Sequence, residues 1–156
     1  SDPVSGSNVP AIVAAVSSER LFDTFLQLIE SLGDTCDVVL ESSHERKTHP
    51  KEYRREGIER ILLESQLWDF EELLLNDGCT SIAVLHSEHP FEVQLDEHKL
   101  LIAYGPVMHT FETILSEHGV PQKKNLRVIS QGDHMHTSTN QFMSQFEDFA
   151  SQIHAE

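Results

Sequence analysis

Two histidines separated by one residue, His134 and His136, follow Asp133 in the segment QGDHMHTS. In an extended chain, residues two apart point to the same face, with their α-carbons about 6.6 Å apart. Imidazole nitrogens at that spacing can bind one divalent metal ion at about 2.0–2.1 Å, together with a carboxylate oxygen. The segment therefore predicts a metal site, with zinc as a suitable ion. The simpler interpretation is a polar connection between a strand and the capping box of the last helix.

Further candidate ligands follow two other predicted strands. Glu41 and His44 come at the end of the strand CDVVLESS, and His86 ends the strand TSIAVLH. When helical crossovers join parallel strands, the carboxyl ends of those strands meet at one edge of the sheet, and ligands bind in that crevice. If all of these strands run the same way, His44 and His86 are predicted to share a site with His134 and His136.

The basic residues are concentrated in the segment HERKTHPKEYRREGIER, which holds six of the eleven lysines and arginines. Arg46, Arg54 and Arg55 are candidates to bind an anionic substrate beside the metal. The interleaved glutamates favour a different interpretation, a solvent-exposed helix with ion pairs between successive turns.

The elements that position these residues are predicted from hydrophobic periodicity and turn residues. Pro50 is well placed to start a helix that is strongest over residues 58–75, and Trp68 is expected to be buried in it. Other helices are expected after Ser17 or Ser18, from Pro106 after Gly105, and from a capping box at residues 138–141, which follows the strand LRVIS.

The segment FEVQLDEHKLLIAYG changes phase, because its first apolar residues are odd-numbered and its last are even-numbered. A turn at residues 96–99 or a β-bulge explains this change, and the turn is slightly favoured. The turn predicts an α/β fold, with α+β as a variant, in which about four helices cover a mixed sheet of four or five strands. The bulge predicts a ferredoxin-like split βαβ core with extra terminal helices.

Composition restricts the class of protein. With 26 acidic against 11 basic residues, the formal charge is −15, which disfavours nucleic-acid binding. No apolar run is long enough to cross a membrane. Residues 10–156 are expected to form one domain, and residues 1–9 a disordered tail or a remnant of an expression vector.

The two cysteines, Cys36 and Cys79, precede predicted strands, at the opposite edge from the expected crevice. We therefore expect buried free thiols without a role in a site, which fits a cytoplasmic protein.

No motif for a catalytic nucleophile, a phosphate-binding loop or a redox-active cysteine pair is present. We therefore expect a small, acidic, soluble module that binds a protein or small-molecule partner, or regulates one, without catalysis. The alternative is a metal-dependent hydrolase that uses the His134–His136 pair to activate water.

Overall fold

The computed structural model describes residues 10–44, 51–120, 123–124 and 140–156. Within these ranges the chain forms seven strands and five helices. The strands are β1 (Ala11–Ala15), β2 (Thr35–Ser42), β3 (Lys51–Glu59), β4 (Thr80–His86), β5 (Glu92–Leu95), β6 (Leu100–Tyr104) and β7 (Lys123–Lys124). The helices are α1 (Ser18–Glu30), α2 (Arg60–Asp69), α3 (Glu71–Asn76), α4 (His109–Glu117) and α5 (Asn140–Gln152).

The described strands form one sheet in the order β3-β2-β4-β5-β6-β1-β7, and every ladder in it is antiparallel. A single domain that combines a sheet with covering helices is confirmed, although the sheet has more strands than the four or five expected. The expected parallel crossover between β2 and β4 is wrong. The prediction fails because β3 reverses the direction of the chain after β2. The helices that follow β3 therefore lead into a strand, β4, that runs antiparallel to β2.

β3 lies in the basic segment, where the sequence predicts a helix. That prediction is wrong because alternating charges suit an exposed edge strand as well as a helix surface. Charged side chains on an edge strand also discourage pairing with other chains. One side of β3 pairs with β2. On the other side, the backbone groups of Arg54 and Glu156 exchange two hydrogen bonds of 2.8 Å.

The predicted helix over residues 58–75 is divided, because β3 ends at Glu59 and α2 and α3 meet at Phe70. Leu63 and Leu67 of α2 are fully buried. The expectation that Trp68 is buried is wrong, since 53% of this residue is exposed. Adjacent residues of an α-helix are about 100° apart around its axis, so Trp68 does not share the buried face on which Leu67 lies.

A turn at residues 96–99 is confirmed, and the bulged alternative is wrong, because β5 and β6 pair as antiparallel neighbours. No glycine or asparagine is present there, and Asp96 supplies the turn chemistry instead. Its Oδ1 accepts hydrogen bonds from the backbone N–H groups of His98 and Leu100, at 2.9 Å each. Lys99 takes the left-handed φ of 64°.

The helices cover one face of the sheet, and alternate strand residues are buried beneath them. The apolar faces predicted for the first and last helices are confirmed, with Phe25, Leu28, Phe146 and Phe149 at their centres. α4 begins at His109, later than the predicted start at Pro106. The predicted tail at residues 1–9, the strand at 126–130 and the first two residues of the capping box lie outside the described residues.

Candidate functional site

Two of the predicted metal ligands, His44 and His86, lie at opposite ends of the β2–β4 ladder. Asp133, His134 and His136 lie outside the described residues, so the site predicted there stays a prediction. His44 follows the end of β2, whereas His86 ends β4 opposite Cys36, near the start of β2. The ladder between these points spans about 20 Å by strand rise, so the expectation that His44 and His86 share one crevice is wrong.

The arginines predicted to bind an anion have separate partners. Arg55 Nη1 donates to the carbonyl of Ile153 at 2.9 Å, while Arg54 forms an exposed ion pair with Glu52 at 3.4 Å. Adjacent strand residues point to opposite faces, so these two guanidinium groups do not converge. Arg46 lies outside the described residues, and an anion site that includes it stays a prediction.

The antiparallel ladder brings a different set of residues together. The end of β2 lies beside the start of β4, because Ser42 pairs with Thr80. The backbone N–H of Ser43 donates to the carbonyl of Cys79 at 2.9 Å, which holds the residues after β2 against the turn before β4. His44 therefore faces Asp77 across this junction.

His44 and Asp77 form a buried hydrogen-bonded pair. His44 Nε2 lies 2.5 Å from Asp77 Oδ2, and the two side chains are 3% and 0% exposed. The Thr80 hydroxyl donates to the same oxygen at 2.6 Å, and the Cys79 N–H donates to Oδ1 at 3.3 Å. Ser42 Oγ hydrogen-bonds His44 Nδ1. Both ring nitrogens have partners, so the orientation of the imidazole is fixed.

Cys79 adds a third side chain of the kind that binds metals. Its Sγ, a ring nitrogen of His44 and a carboxylate oxygen of Asp77 lie within 4.8 Å of one another. Among the described residues this is the one group of three such ligand atoms. Ligand atoms around a zinc ion lie about 3–4 Å apart, given bonds of about 2.0–2.3 Å, so modest side-chain adjustment suffices to enclose an ion.

A partly buried lysine lies near the carboxylate. Lys99 Nζ donates to the carbonyls of Leu74 and Thr80, at 2.8 and 3.4 Å. Burial lowers the pKa of Lys99 to about 8, and the negative charge of Asp77 opposes this shift. Asp77 therefore has a nearby cation as well as its hydrogen-bond donors.

The junction opens into a cleft of about 310 Å³, lined by Ser42, His44, Lys51, Met143, Ser144 and Glu147. α5 forms one wall, where the ring centroid of Phe146 lies 5.8 Å from that of His44. Glu147 accepts hydrogen bonds from Lys51 and Tyr53 of β3, at 2.8 Å each. Burial raises the pKa of Glu147, but these two hydrogen bonds outweigh burial and lower the pKa below its usual value. The cleft thus combines the edge of the imidazole with an ion pair.

Sequence reasoning missed Asp77 and Cys79. Asp77 directly follows the end of α3, where its Oδ1 accepts a hydrogen bond from the N–H two residues later, as in an Asx-turn. That role leaves Oδ2 to face His44. The signal that could have found the site is the pair Asp77 and Cys79 directly before a strand, once that strand is known to run antiparallel to β2.

No family model, no curated protein and no solved structure matches the chain. No helix among the described residues has the length and apolar character needed to cross a bilayer. The geometry of the His44–Asp77–Cys79 cluster is therefore the basis for assigning a function.

Proposed function

We propose that the protein is a binding module for a divalent metal ion, with His44, Asp77 and Cys79 as ligands. The observation that carries this proposal is the grouping of three different ligand atoms within 4.8 Å in a buried site. Zinc fits this set, because zinc accepts imidazole, carboxylate and thiolate together. Magnesium and calcium prefer oxygen ligands alone.

The surrounding hydrogen bonds support metal binding. An ion between His44 Nε2 and Asp77 takes the place of the proton there, and Nδ1–H then donates to Ser42 Oγ. Such a bond fixes the tautomer of a metal-binding histidine. The Thr80 hydroxyl orients Asp77 in the same way. Three protein ligands leave a fourth position for water or for a molecule in the cleft.

A structural hydrogen-bond network is the competing interpretation. In a metal-free network the Ser42 hydroxyl donates to Nδ1 and Nε2–H donates to Asp77, so that each group has a partner. The two interpretations differ in the role of Cys79, whose thiolate is needed for metal binding and is not needed for the network.

A metal titration tests the proposal. Reduced, tag-free protein is stripped with a chelator and titrated with cobalt(II), whose bond to a thiolate gives a charge-transfer absorption band that zinc then abolishes by displacement. We expect saturation at one ion per chain, and loss of binding in His44→Gln and Cys79→Ser. The matched controls Cys36→Ser and His86→Gln remove the same residue types at the other end of the β2–β4 ladder and should bind like wild type.

Unchanged cobalt binding by Cys79→Ser would contradict the proposal. The double variant His134→Ala with His136→Ala separates the two predicted metal sites. Binding that disappears in the double variant and persists in Cys79→Ser would place the ion at the segment QGDHMHTS instead.

A metal-dependent hydrolase is the second candidate, favoured by the cleft beside His44. A metal ion with an open position lowers the pKa of its bound water and so supplies a nucleophile at neutral pH. Hydrolysis of a nitrophenyl ester by the zinc-loaded protein, lost in Cys79→Ser and kept in Cys36→Ser, would support the enzyme. A zinc-loaded protein without this activity supports the non-catalytic module.

We also propose that this acidic module is soluble, works in the reducing cytoplasm and does not bind nucleic acid. Both cysteines are free, and thiolate ligands need reducing conditions. A formal charge of −15 repels phosphate backbones. Fluorescence anisotropy with duplex DNA should show no binding at physiological salt, and a salt-dependent micromolar affinity would contradict this part of the proposal.

A further inference from the structure

The outer face of α2 carries three of the four large hydrophobic residues that are exposed in the described part of the chain. Ile61, Leu62 and Trp68 are 75%, 47% and 53% exposed. Ile61 and Trp68 are two helical turns apart, with the small residue Ser65 between them on the same face. We call Ile61, Leu62, Ser65 and Trp68 the α2 patch.

The α2 patch lies in an acidic part of the chain. Residues 59–72 contain five carboxylates and one arginine. Glu59, Asp69 and Glu72 are exposed. Arg60 is mostly covered, and it donates to Glu64 at 2.8 Å and to the carbonyl of Gly33 at 2.9 Å. The carboxylates around the patch are therefore in excess over local cations.

Trp68 is held in place although it is exposed. Its ring meets the buried ring of Phe22 in an edge-to-face contact, with 4.8 Å between centroids. A tryptophan that is supported on one side and open on the other is typical of the residues that dominate protein–protein binding energy.

We propose that the α2 patch binds a basic amphipathic helix of a partner protein. The apolar face of such a helix covers Ile61, Leu62 and Trp68, while its lysines or arginines pair with Asp69 and Glu72. A second copy of this chain fits poorly, because it would bring two acidic surfaces together. This inference is independent of the proposed metal site.

Tryptophan fluorescence tests the inference directly, because Trp68 is the sole tryptophan. The probe is a synthetic peptide of leucine and lysine with helical amphipathic spacing. We expect a blue shift of the emission that saturates with peptide. A peptide of the same composition with scrambled order should bind about tenfold more weakly, and the leucine–glutamate equivalent should not bind.

Two pairs of variants locate the binding surface. Ile61→Asp should weaken binding about tenfold, whereas Val107→Asp, at a residue 62% exposed outside the patch, should bind like wild type. Asp69→Lys with Glu72→Lys should weaken binding more than Glu88→Lys with Glu117→Lys, which changes the net charge equally at other exposed positions.

Three results would overturn the inference. Equal affinity for the scrambled peptide would reduce the interaction to general charge attraction. Equal effects of the two charge-reversal pairs would remove α2 as the location. A blue shift with protein concentration alone, matched by dimers in sedimentation velocity, would assign the α2 patch to a second copy of the chain.

Discussion

The two ends of the β2–β4 ladder each hold one histidine and one cysteine, but these residues have different partners. At one end Cys36 and His86 are cross-strand neighbours. At the other end His44 and Cys79 lie beside the buried carboxylate of Asp77. The same residue types therefore occur in two different environments within one sheet.

At the Cys36 end, backbone groups already occupy one nitrogen of the imidazole. His86 Nδ1 accepts hydrogen bonds from the backbone N–H groups of Glu88 and His89, at 2.9 and 3.1 Å. Burial raises the pKa of the Cys36 thiol to about 11, so this thiol stays protonated at neutral pH. A histidine beside a cysteine is therefore not enough for the kind of metal site that we propose. The proposed site differs from the Cys36 end by a buried carboxylate that faces the imidazole nitrogen.

The largest expected difference in stability between the two ends comes from removing Asp77. Asp77→Ala should lower the free energy of unfolding by about 3–5 kcal/mol, because it leaves His44 Nε2 and the Thr80 hydroxyl without partners in a buried site. His86→Ala should cost about 1 kcal/mol, since the backbone groups that it releases are at exposed residues. Urea denaturation of the metal-free proteins measures both values, and equal costs would remove the proposed difference between the two ends.

Lys99 allows a second test at the Asp77 end, because it places a partly buried ammonium near Asp77. Its pKa falls from 10.5 to about 8 on burial, so the unfolded chain binds more protons than the folded chain between these values. Stability should therefore rise with pH across this window. Lys99→Met lacks the titrating group, and the stability of wild type relative to this variant should increase by about 2 kcal/mol from pH 8 to pH 10.5. Urea denaturation at several pH values measures this change, and parallel pH profiles for wild type and Lys99→Met would contradict the lowered pKa of Lys99.

The smallest expected effect is a difference in reactivity between the thiols of Cys36 and Cys79. Thiolates are the reactive species, so the raised pKa of Cys36 predicts slow alkylation. Cys79 should react at least about tenfold faster with iodoacetamide under native conditions, and zinc should slow only Cys79. Mass spectrometry of peptides after timed labelling gives both rates. Faster labelling of Cys36, or protection of both cysteines by zinc, would reverse the comparison.

Hydrophobic periodicity correctly predicts helices in which one face is buried in the core. α1 and α5 have apolar residues at helical spacing, and these residues form much of the core. β3 was missed because an edge strand with charged residues on both faces lacks the alternation of a half-buried strand. In α2, apolar residues occur on the outer face as well, so the hydrophobic pattern wrongly predicts that Trp68 is buried.

The error at β3 also explains why the candidate site was found only in part. His44 was predicted as a ligand from its place after a strand, but its partner Asp77 is 33 residues away. Which residues meet His44 depends on the direction of β4, and one missed strand reverses that direction. With β4 in the wrong direction, the sequence predicts His86 beside His44 and Cys79 at the opposite edge. In the structure Cys79 lies beside His44, and His86 lies at the opposite edge.

Anomalous scattering from crystals grown with zinc tests the central claim most directly, because it locates the ion. We predict a zinc peak within about 2.0–2.3 Å of His44 Nε2, Asp77 Oδ2 and Cys79 Sγ, and no peak beside Cys36 and His86. Zinc bound by other residues would contradict the proposed metal site. So would a crystal grown at saturating zinc in which no ion lies between His44 and Asp77 and their hydrogen bond is kept.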